Sequence, residues 1–338
     1  WDGAITSGTT TAASDGGTAN WDNGTTTNWD RGPGLSAPVA WDNSSGDTAV
    51  FGGTTGTVTL DEDITLDGLT FEVVDAGGTG YFIGDAAEDN TLTFSGSKTI
   101  TLNATGTNSN QDATIRAGIA GSPTLNIHGR ANNSQFFALE PTANVTMTLG
   151  TLNMLNTFGS NKQLRLGGPG SGNVVDQITW TVTNQQLQVR KQDSSNGGAD
   201  GSDWTINQDI SLDDGRIYVD EGTLILGGTD NFMSHSVEVA AGGRIVLQGN
   251  WRIHDENEDF RVLSGGIVAP GGSVGTATFN WNSSRGNPSV GLVDLRTGST
   301  YEWEVGAANA TDIIALTAPA VPPSGSSTPA ARLPRATS

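Results

Sequence analysis

The sequence predicts an all-β protein built as a β-solenoid, and three observations support this fold class. Short segments in which apolar and polar residues alternate, the period of half-buried strands, run from residue 48 to residue 317 without a helical pattern. The turns between them are short and rich in Gly and Asn, and no charged linker interrupts them. The phrases GTLILGG, QLRLGGPG and GGRIVLQGN also echo one another, as expected for stacked coils. A sandwich or barrel shares the strand spacing but fits so long a pattern less well.

Three segments are distinguished by composition. Residues 1–47 are irregular and rich in Thr, Gly, Asn and Asp, residues 48–317 carry the alternating strands, and residues 318–338 are rich in Pro, Ala and Ser. The last segment is predicted to be a flexible tail, because Pro lacks the donor that a sheet edge needs. The core candidates of the first strands alternate along the chain: Val50, Val58, Leu60, Ile64, Leu66, Leu69, Phe71, Val73, Tyr81, Ile83, Leu92, Phe94, Ile100 and Leu102.

The composition limits the classes of partner. The formal net charge of −20 disfavours nucleic acid and anionic membrane surfaces, because both need clustered Lys and Arg. Such acidity fits a secreted protein or one that binds divalent cations, and it can also serve colloidal stability alone. The chain contains no cysteine, which excludes disulfides and favours a bacterial exported protein. No apolar run approaches the ~20 residues of a membrane span. Because the chain begins at Trp1, we expect that a signal peptide has been removed.

The Trp-Asp dipeptide occurs four times in the first segment, which places Trp1, Trp21, Trp29 and Trp41 close together in sequence. Exposed tryptophans favour sugar stacking or protein contacts. The ends of a solenoid, however, expose open strand edges that must be covered. The sequence therefore favours a cap or an intersubunit contact for these four residues, with carbohydrate binding as the alternative.

The loop HDENEDF at residues 254–260 is the only segment that suggests a metal. It concentrates Asp255, Glu256 and Asp259, and carboxylate oxygens suit Ca²⁺. The loop lacks the ordered spacing of an EF-hand, so an ordinary solvated loop is the competing interpretation. Apart from this calcium, we predict no cofactor.

No motif predicts catalysis. Acidic side chains that glycoside hydrolysis could use are abundant at strand ends, where they also serve to solubilise turns: Asp61, Glu62, Asp63, Asp213, Asp214, Asp220, Glu221, Asp255, Glu256, Glu258 and Asp259. A polysaccharide lyase would need a basic residue beside a calcium site, and Arg190-Lys191 and His254-Asp255 are the nearest approximations. The histidines His128, His235 and His254 show no metal-ligand spacing. The protein is therefore predicted not to be an enzyme, with a polysaccharide-active enzyme or carbohydrate-binding module as the alternative.

Three stretches resemble the autotransporter-associated β-strand repeat proteins, which are secreted bacterial β-helices related to autotransporter passengers. They are GTVTLDEDITLDGLTFEV with GYFIGD at the start, EGTLILGGTDNF at residues 221–232, and GGIVAPGGSVGTATFNW with GSTYEWEVG and TDIIALT near the end. The resemblance implies a right-handed parallel β-helix that is exported and located at the cell surface. It also implies further strands after residues 313–316, followed by a translocator barrel or a sorting signal.

These observations together predict a non-enzymatic extracellular structural or adhesive protein. A head-to-tail contact that does not close generates a filament, so an open-ended solenoid can assemble with itself into a fibre or sheath. Segments 1–47 and 318–338 are the predicted arms of such an assembly. Surface or matrix polysaccharide is the other predicted partner, and a passenger fragment of a larger adhesin is a third interpretation of the chain.

Overall fold

The structure of the chain is a computed structural model. It describes residues 1, 16–30, 38–74, 80–105, 111–128, 135–155, 162–180, 187–192, 201–212, 215–233, 236–253, 260–271, 275–281, 293–304, 311 and 313–317. Among these residues every regular element is a β-strand. No helix in this part of the chain is long and apolar enough to cross a membrane.

The described strands, in chain order, are β1 (Ala19–Trp21), β2 (Thr48–Phe51), β3 (Thr57–Leu60), β4 (Ile64–Val74), β5 (Tyr81–Ile83), β6 (Thr91–Thr105), β7 (Gln111–Ile115), β8 (Gly118–Ala120), β9 (Thr124–His128), β10 (Gln135–Leu139), β11 (Thr148–Leu155), β12 (Lys162–Leu166), β13 (Asn173–Trp180), β14 (Leu187–Lys191), β15 (Asp203–Ile206), β16 (Ser211–Leu212), β17 (Gly215–Val219), β18 (Gly222–Leu226), β19 (Asp230–Met233), β20 (Val237–Val239), β21 (Gly243–Leu247), β22 (Gly249–Ile253), β23 (Phe260–Val262), β24 (Ile267–Pro270), β25 (Thr276–Trp281), β26 (Val293–Leu295), β27 (Thr300–Tyr301) and β28 (Ile313–Thr317).

The strands stack as coils with three faces. Face one is an 11-stranded sheet in the order β1-β3-β5-β7-β10-β12-β14-β17-β20-β23-β26. In the C-terminal coils, the strands of face two follow the order β15-β18-β21-β24-β27. Those of face three follow the order β16-β19-β22-β25-β28. Neighbouring strands are parallel, and each strand pairs with the one that occupies the same face in the next coil. The predicted solenoid is therefore confirmed.

In the earlier coils, single long strands turn the corner between faces two and three. The first part of β6 pairs with β8 at Thr91–Thr93, and its second part pairs with β9 at Thr99–Asn103. Likewise, β13 pairs with β15 at Asn173–Val175 and with β16 at Thr179. A strand that serves two faces must bend, and the register of β4 against β6 shifts between Leu66 and Gly68.

The core consists of ladders of in-register side chains that point into the coils. Face one contributes two such ladders. One runs through Tyr81, Ala113, Phe137, Leu164, Val189, Ile217, Val237 and Phe260. The other runs through Ile83, Ile115, Leu139, Leu166, Lys191, Val219, Val239 and Val262. All of these residues are buried, including Lys191.

Two of the three similar phrases in the sequence belong to coils that stack on face two. GTLILGG lies directly beneath GGRIVLQGN, because Gly222–Leu226 pairs in register with Gly243–Leu247. Glycines with positive φ occupy the corner before this face, where the amide of Gly242 donates to Gly265 O and the amide of Gly265 donates to Gly298 O. That backbone conformation favours Gly, which explains its recurrence. QLRLGGPG lies on face one in β12, so its similarity to the other two phrases does not reflect the same position in a coil.

Among the predicted core residues, twelve are buried as expected. Val50 was a wrong assignment, since it is 37% exposed while its neighbours Ala49 and Phe51 are buried. The side chain of Val73 lies outside the described residues. Trp303 lies in the alternating stretch GSTYEWEVG but is 59% exposed. It follows β27, which pairs with β24 and with no later strand among the described residues.

Candidate binding surface and N-terminal cap

Four tryptophans pack together at the N-terminal end of the solenoid, and we call this cluster of Trp1, Trp21, Trp29 and Trp41 the tryptophan cap. All four indoles are buried. Ring centroids lie 4.9 Å apart for Trp1 and Trp29, 4.8 Å for Trp21 and Trp29, and 5.1 Å for Trp21 and Trp41. The cap packs on Phe51 of β2, whose ring is 5.6 Å from that of Trp21. Tilted and edge-to-face contacts at these distances add to the free energy gained by burial.

The carboxylates that follow Trp21 and Trp41 hold the turns of the cap. Oδ1 of Asp22 accepts from the amides of Thr25 at 2.9 Å and Thr26 at 2.8 Å, and Oδ2 accepts from the Thr26 hydroxyl. Oδ1 of Asp42 accepts from the amide of Ser44 at 2.8 Å. In these two Trp-Asp dipeptides, the Trp ring packs in the cap and the Asp carboxylate accepts hydrogen bonds from the turn that follows.

The cap is tied to the first coils through backbone and side chains. β1 pairs with β3, so the sheet of face one begins within the segment 1–47 that the sequence assigns to the cap. The indole Nε1 of Trp41 donates to the carbonyl oxygen of Thr65 at 3.1 Å. The four rings are therefore engaged with their own chain and are not presented to solvent. A contact of this segment with a second copy or with a ligand stays a prediction.

The first group of candidate catalytic carboxylates accepts hydrogen bonds from neighbouring segments of the chain instead. Both Asp61 oxygens accept from the Asn20 side-chain amide at 3.0 Å. Glu62 accepts from the amide of Asn23 at 2.9 Å, and Asp63 accepts from the amide of Thr91 at 2.8 Å. These three carboxylates fasten the cap and the next coil to the turn after β3.

Some of the remaining candidate catalytic and metal-binding residues lie on or beside described strands, and the others lie outside the described part of the chain. Asp220 forms an ion pair with Arg190 at 2.7 Å. Lys191, proposed from the sequence as an approximation of a lyase base, is wrong for that role because its side chain is fully buried in the core. His128 ends β9 and is exposed. Asp213, Asp214, His235, His254 and the predicted calcium ligands Asp255, Glu256 and Asp259, with Glu258, lie outside the described residues. Within the described part, no group of three His, Asp or Glu residues is placed to hold a metal ion.

The outer side of face one carries a cluster that sequence reasoning did not identify. We call it the arginine face, and it consists of Gln163, Arg165, Gln188, Arg190, Arg216 and Tyr218 on the consecutive strands β12, β14 and β17. Arg165 is directly opposite Arg190, and Arg190 is directly opposite Tyr218. Gln163 is opposite Gln188, which is opposite Arg216. These side chains are half-buried.

Neighbouring groups fix the positions of two of these guanidinium groups. The guanidinium of Arg190 lies 4.8 Å from the ring centroid of Tyr218 and pairs with Asp220. Nε of Arg165 donates to Gln163 Oε1 at 3.3 Å, and Gln163 Nε2 donates to Gln188 Oε1 at 2.7 Å. Burial and the adjacent charge of Arg190 lower the pKa of Arg165, while Glu140 and Asp220 act in the opposite direction. Arg165 remains a cation at neutral pH, because an arginine is not deprotonated in proteins.

The arginine face was missed because each strand contributes only two of its residues. Arg165, Arg190 and Arg216 are separated in sequence by whole coils, so no local cluster of basic residues is visible. The sequence does show which residues of each strand point outward. In KQLRL, LQVRK and GRIYV, the outward positions alternate with the apolar ones and hold Gln, Arg or Tyr. Only the register of the coils brings these positions together.

Comparison with known proteins supports the architecture. The chain is 32% identical over 235 residues, or 66% of its length, to the adhesin BmaC autotransporter of Brucella suis biovar 1 (strain 1330). That stretch is 6% of the length of this relative. No protein-family model matches the chain, and no solved structure matches it significantly. The resemblance to autotransporter passengers that was inferred from the sequence is confirmed, and the chain with this resemblance folds as a β-solenoid.

Proposed function

We propose that this chain is a non-enzymatic, extracellular adhesive module that acts at a bacterial surface after removal of a signal peptide. The similar protein from Brucella suis bears the name of an adhesin, which favours an adhesive role here. The observation that carries the proposal is the arginine face, a set of polar and aromatic side chains in register on the outer side of a long sheet. The carboxylates of Glu62 and Asp63 accept from backbone amides and that of Asp61 accepts from the Asn20 side chain, which favours binding over hydrolysis.

The solenoid suits adhesion mechanically as well. Interior strands of face one are hydrogen-bonded to a parallel neighbour on both sides, and the side chains of successive coils stack in continuous ladders. Such an arrangement behaves as a rod whose stability is a sum over coils and their interfaces. A rod holds its outward side chains in fixed positions, so a contact surface on it is preorganised.

The test is attachment of beads under flow. Beads coated with the 338-residue chain are passed over surfaces that carry cells, matrix protein or matrix polysaccharide, beside beads coated with serum albumin. We expect the coated beads to attach to at least one of these surfaces beyond the albumin level. Equal attachment of both kinds of bead to every surface contradicts the adhesive function.

A polysaccharide-active enzyme is the competing function and calls for a direct assay. The chain is incubated with acidic polysaccharides, with and without Ca²⁺, and the release of unsaturated sugars and of reducing ends is followed. We expect neither product to exceed the buffer blank. Turnover that persists after further purification of the protein contradicts the non-enzymatic part of the proposal.

The finer proposal is that copies assemble end to end into a fibre or sheath. Its support is the C-terminal end of the described coils, where Tyr301 is 36% and Trp303 is 59% exposed. The opposite end is covered by the tryptophan cap, so a joint would place the last coil against the outer side of that cap. Electron microscopy with and without Ca²⁺ tests assembly directly. Filaments that disappear in Trp303→Ser support it, and dispersed rods for the unmodified chain contradict it.

A further inference from the structure

We propose that the arginine face binds a polyanionic polysaccharide, a glycan that carries carboxylate or sulfate groups, laid along the solenoid axis. This inference rests on the proposed adhesive function and names the ligand class of its contact surface. Three properties of the face support this ligand class: its charge, its preorganisation and its spacing.

The charge of the face stands out against the rest of the molecule. The chain has a formal net charge of −20, yet Arg165, Arg190 and Arg216 lie on three consecutive strands. The acids that border them are Glu140, paired with Arg116, and Asp220, paired with Arg190, together with Glu238 opposite Tyr218. Like charges directly opposite on adjacent strands repel each other. An anion bound between Arg165 and Arg190 relieves this repulsion, so the face favours a negative ligand.

The face is already arranged for such a ligand. Arg190 lies against Tyr218 and Asp220, and Arg165 against Gln163, which in turn donates to Gln188. Side chains that are held before binding lose less conformational entropy when the ligand arrives. A guanidinium group also presents a planar set of donors that matches carboxylate and sulfate oxygens.

The spacing favours a chain over a single ion. Neighbouring parallel strands lie about 4.8 Å apart, so Arg165 and Arg190 are opposite each other on two coils, and Arg216 lies on the third coil, two residues to the side of that row. A polymer with repeated anionic groups meets several of them at once, which multiplies the effect of each weak contact. The amides of Gln163 and Gln188 both donate and accept hydrogen bonds, as sugar hydroxyl groups require.

The experiment measures binding of the full chain to immobilised heparin and polygalacturonate, with neutral dextran as the uncharged reference. We expect binding to the two anionic polymers that weakens with added salt, and none to dextran. Arg165→Gln is expected to weaken binding about tenfold, since one charge-assisted contact is lost. Its melting temperature is expected to stay the same or rise, because the repulsion with Arg190 is removed. The matched control is Arg244→Gln on face two, where the arginine pairs with Glu302 at 2.7 Å.

Two results overturn the proposal. One is the absence of binding to both polymers by the unmodified chain. The other is an equal loss of binding in Arg165→Gln and Arg244→Gln, since net charge alone would then explain it. Arg165→Lys provides a further check and is expected to restore part of the lost affinity, because it keeps the charge without the planar donors. If beads coated with the chain attach to cells while heparin and polygalacturonate do not bind, this inference fails and the adhesive function stands.

Discussion

Lys191 lies directly opposite Leu166 in the register of face one, and its side chain is fully buried in a ladder that is otherwise aliphatic in the neighbouring coils. The position follows from strand parity. In LQVRK, Val189 points into the core and Arg190 points out, so Lys191 must point in. Register here overrides the strong preference of lysine for the surface.

Replacement of Lys191 by Met is expected to raise the free energy of unfolding by about 1 kcal/mol. The cost of taking the ammonium group out of water is expected to exceed the gain from the interactions that it makes, and the unbranched thioether fills a similar volume. The measurement is urea denaturation followed by circular dichroism. The matched control is Leu166→Lys, the in-register partner, which is expected to lose about 3–5 kcal/mol because it buries a new charge. A loss of stability in Lys191→Met would show that the amine itself supports the fold.

Truncation of Trp21 to Ala is expected to destabilise the N-terminal end of the solenoid by about 3–5 kcal/mol. Trp21 is fully buried and contacts the rings of Trp29, Trp41 and Phe51. Because coils of a solenoid contact only their neighbours, the loss is expected to be local. Hydrogen exchange should therefore quicken in β1 and β3 and remain slow in β17 and β20. Trp303→Ala, at an exposed position, is the control, and an equal effect of both variants would contradict the role of the cap.

The fold could be predicted from the sequence because the pattern that indicates it lies within single strands. Alternation of apolar and polar residues determines which side chains face the core of each strand, and twelve of the core residues assigned this way are buried. Val50 fails because TAVF alternates in either of two ways, and the choice of Ala49 and Phe51 depends on the ring of Phe51 meeting the tryptophan cap. The short strand does not contain that information.

The candidate binding surface could not be predicted from the sequence, because it depends on contacts between residues of different coils. Whether Arg165 lies opposite Arg190, and Arg216 opposite Gln188, depends on the length of each coil, and the coils are unequal. Tyr218 finds its partner Glu238 after a short coil, whereas Arg261 reaches Asp294 only after a longer one. A loose repeat therefore predicts stacking but not which residues stack. The burial of Lys191 was missed because its residue type was weighted above its parity.

Calcium binding by the loop at residues 254–260 stays a prediction, since the loop lies outside the described residues. If Asp255, Glu256 and Asp259 hold Ca²⁺, then millimolar calcium is expected to raise the melting temperature, because a ligand that binds only the folded state stabilises it. Chelation with EDTA should reverse the shift. The shift should vanish in a variant with Asp255→Asn and Asp259→Asn and persist in Asp230→Asn, whose carboxylate pairs with Arg252. An unchanged melting temperature in the unmodified chain would remove calcium from consideration.

The stability of the cap is expected to depend on pH through Asp22. Burial alone would raise the pKa of this carboxyl group, but hydrogen bonds from the hydroxyl and amide of Thr26 and the amide of Thr25 outweigh it and lower the pKa. The unfolded chain, with a pKa near 3.9, therefore binds this proton more readily than the folded chain. The contribution of Asp22 is fully present above about pH 4, and it is lost as the pH falls through the lower pKa of the folded state.

Asp22→Asn isolates this contribution. At pH 7 the variant is expected to melt at a lower temperature than the unmodified chain, because the uncharged amide is a weaker acceptor for the three donors. The difference should shrink as the pH falls below about 4, because the unfolded chain then takes up a proton that the folded chain binds only at lower pH. Asp47→Asn, at an exposed position in the same segment, is the control and is expected to change little at either pH. A difference between Asp22→Asn and the unmodified chain that stays constant from pH 7 to pH 3 would mean that the shape of the side chain, and not its charge, holds the turn.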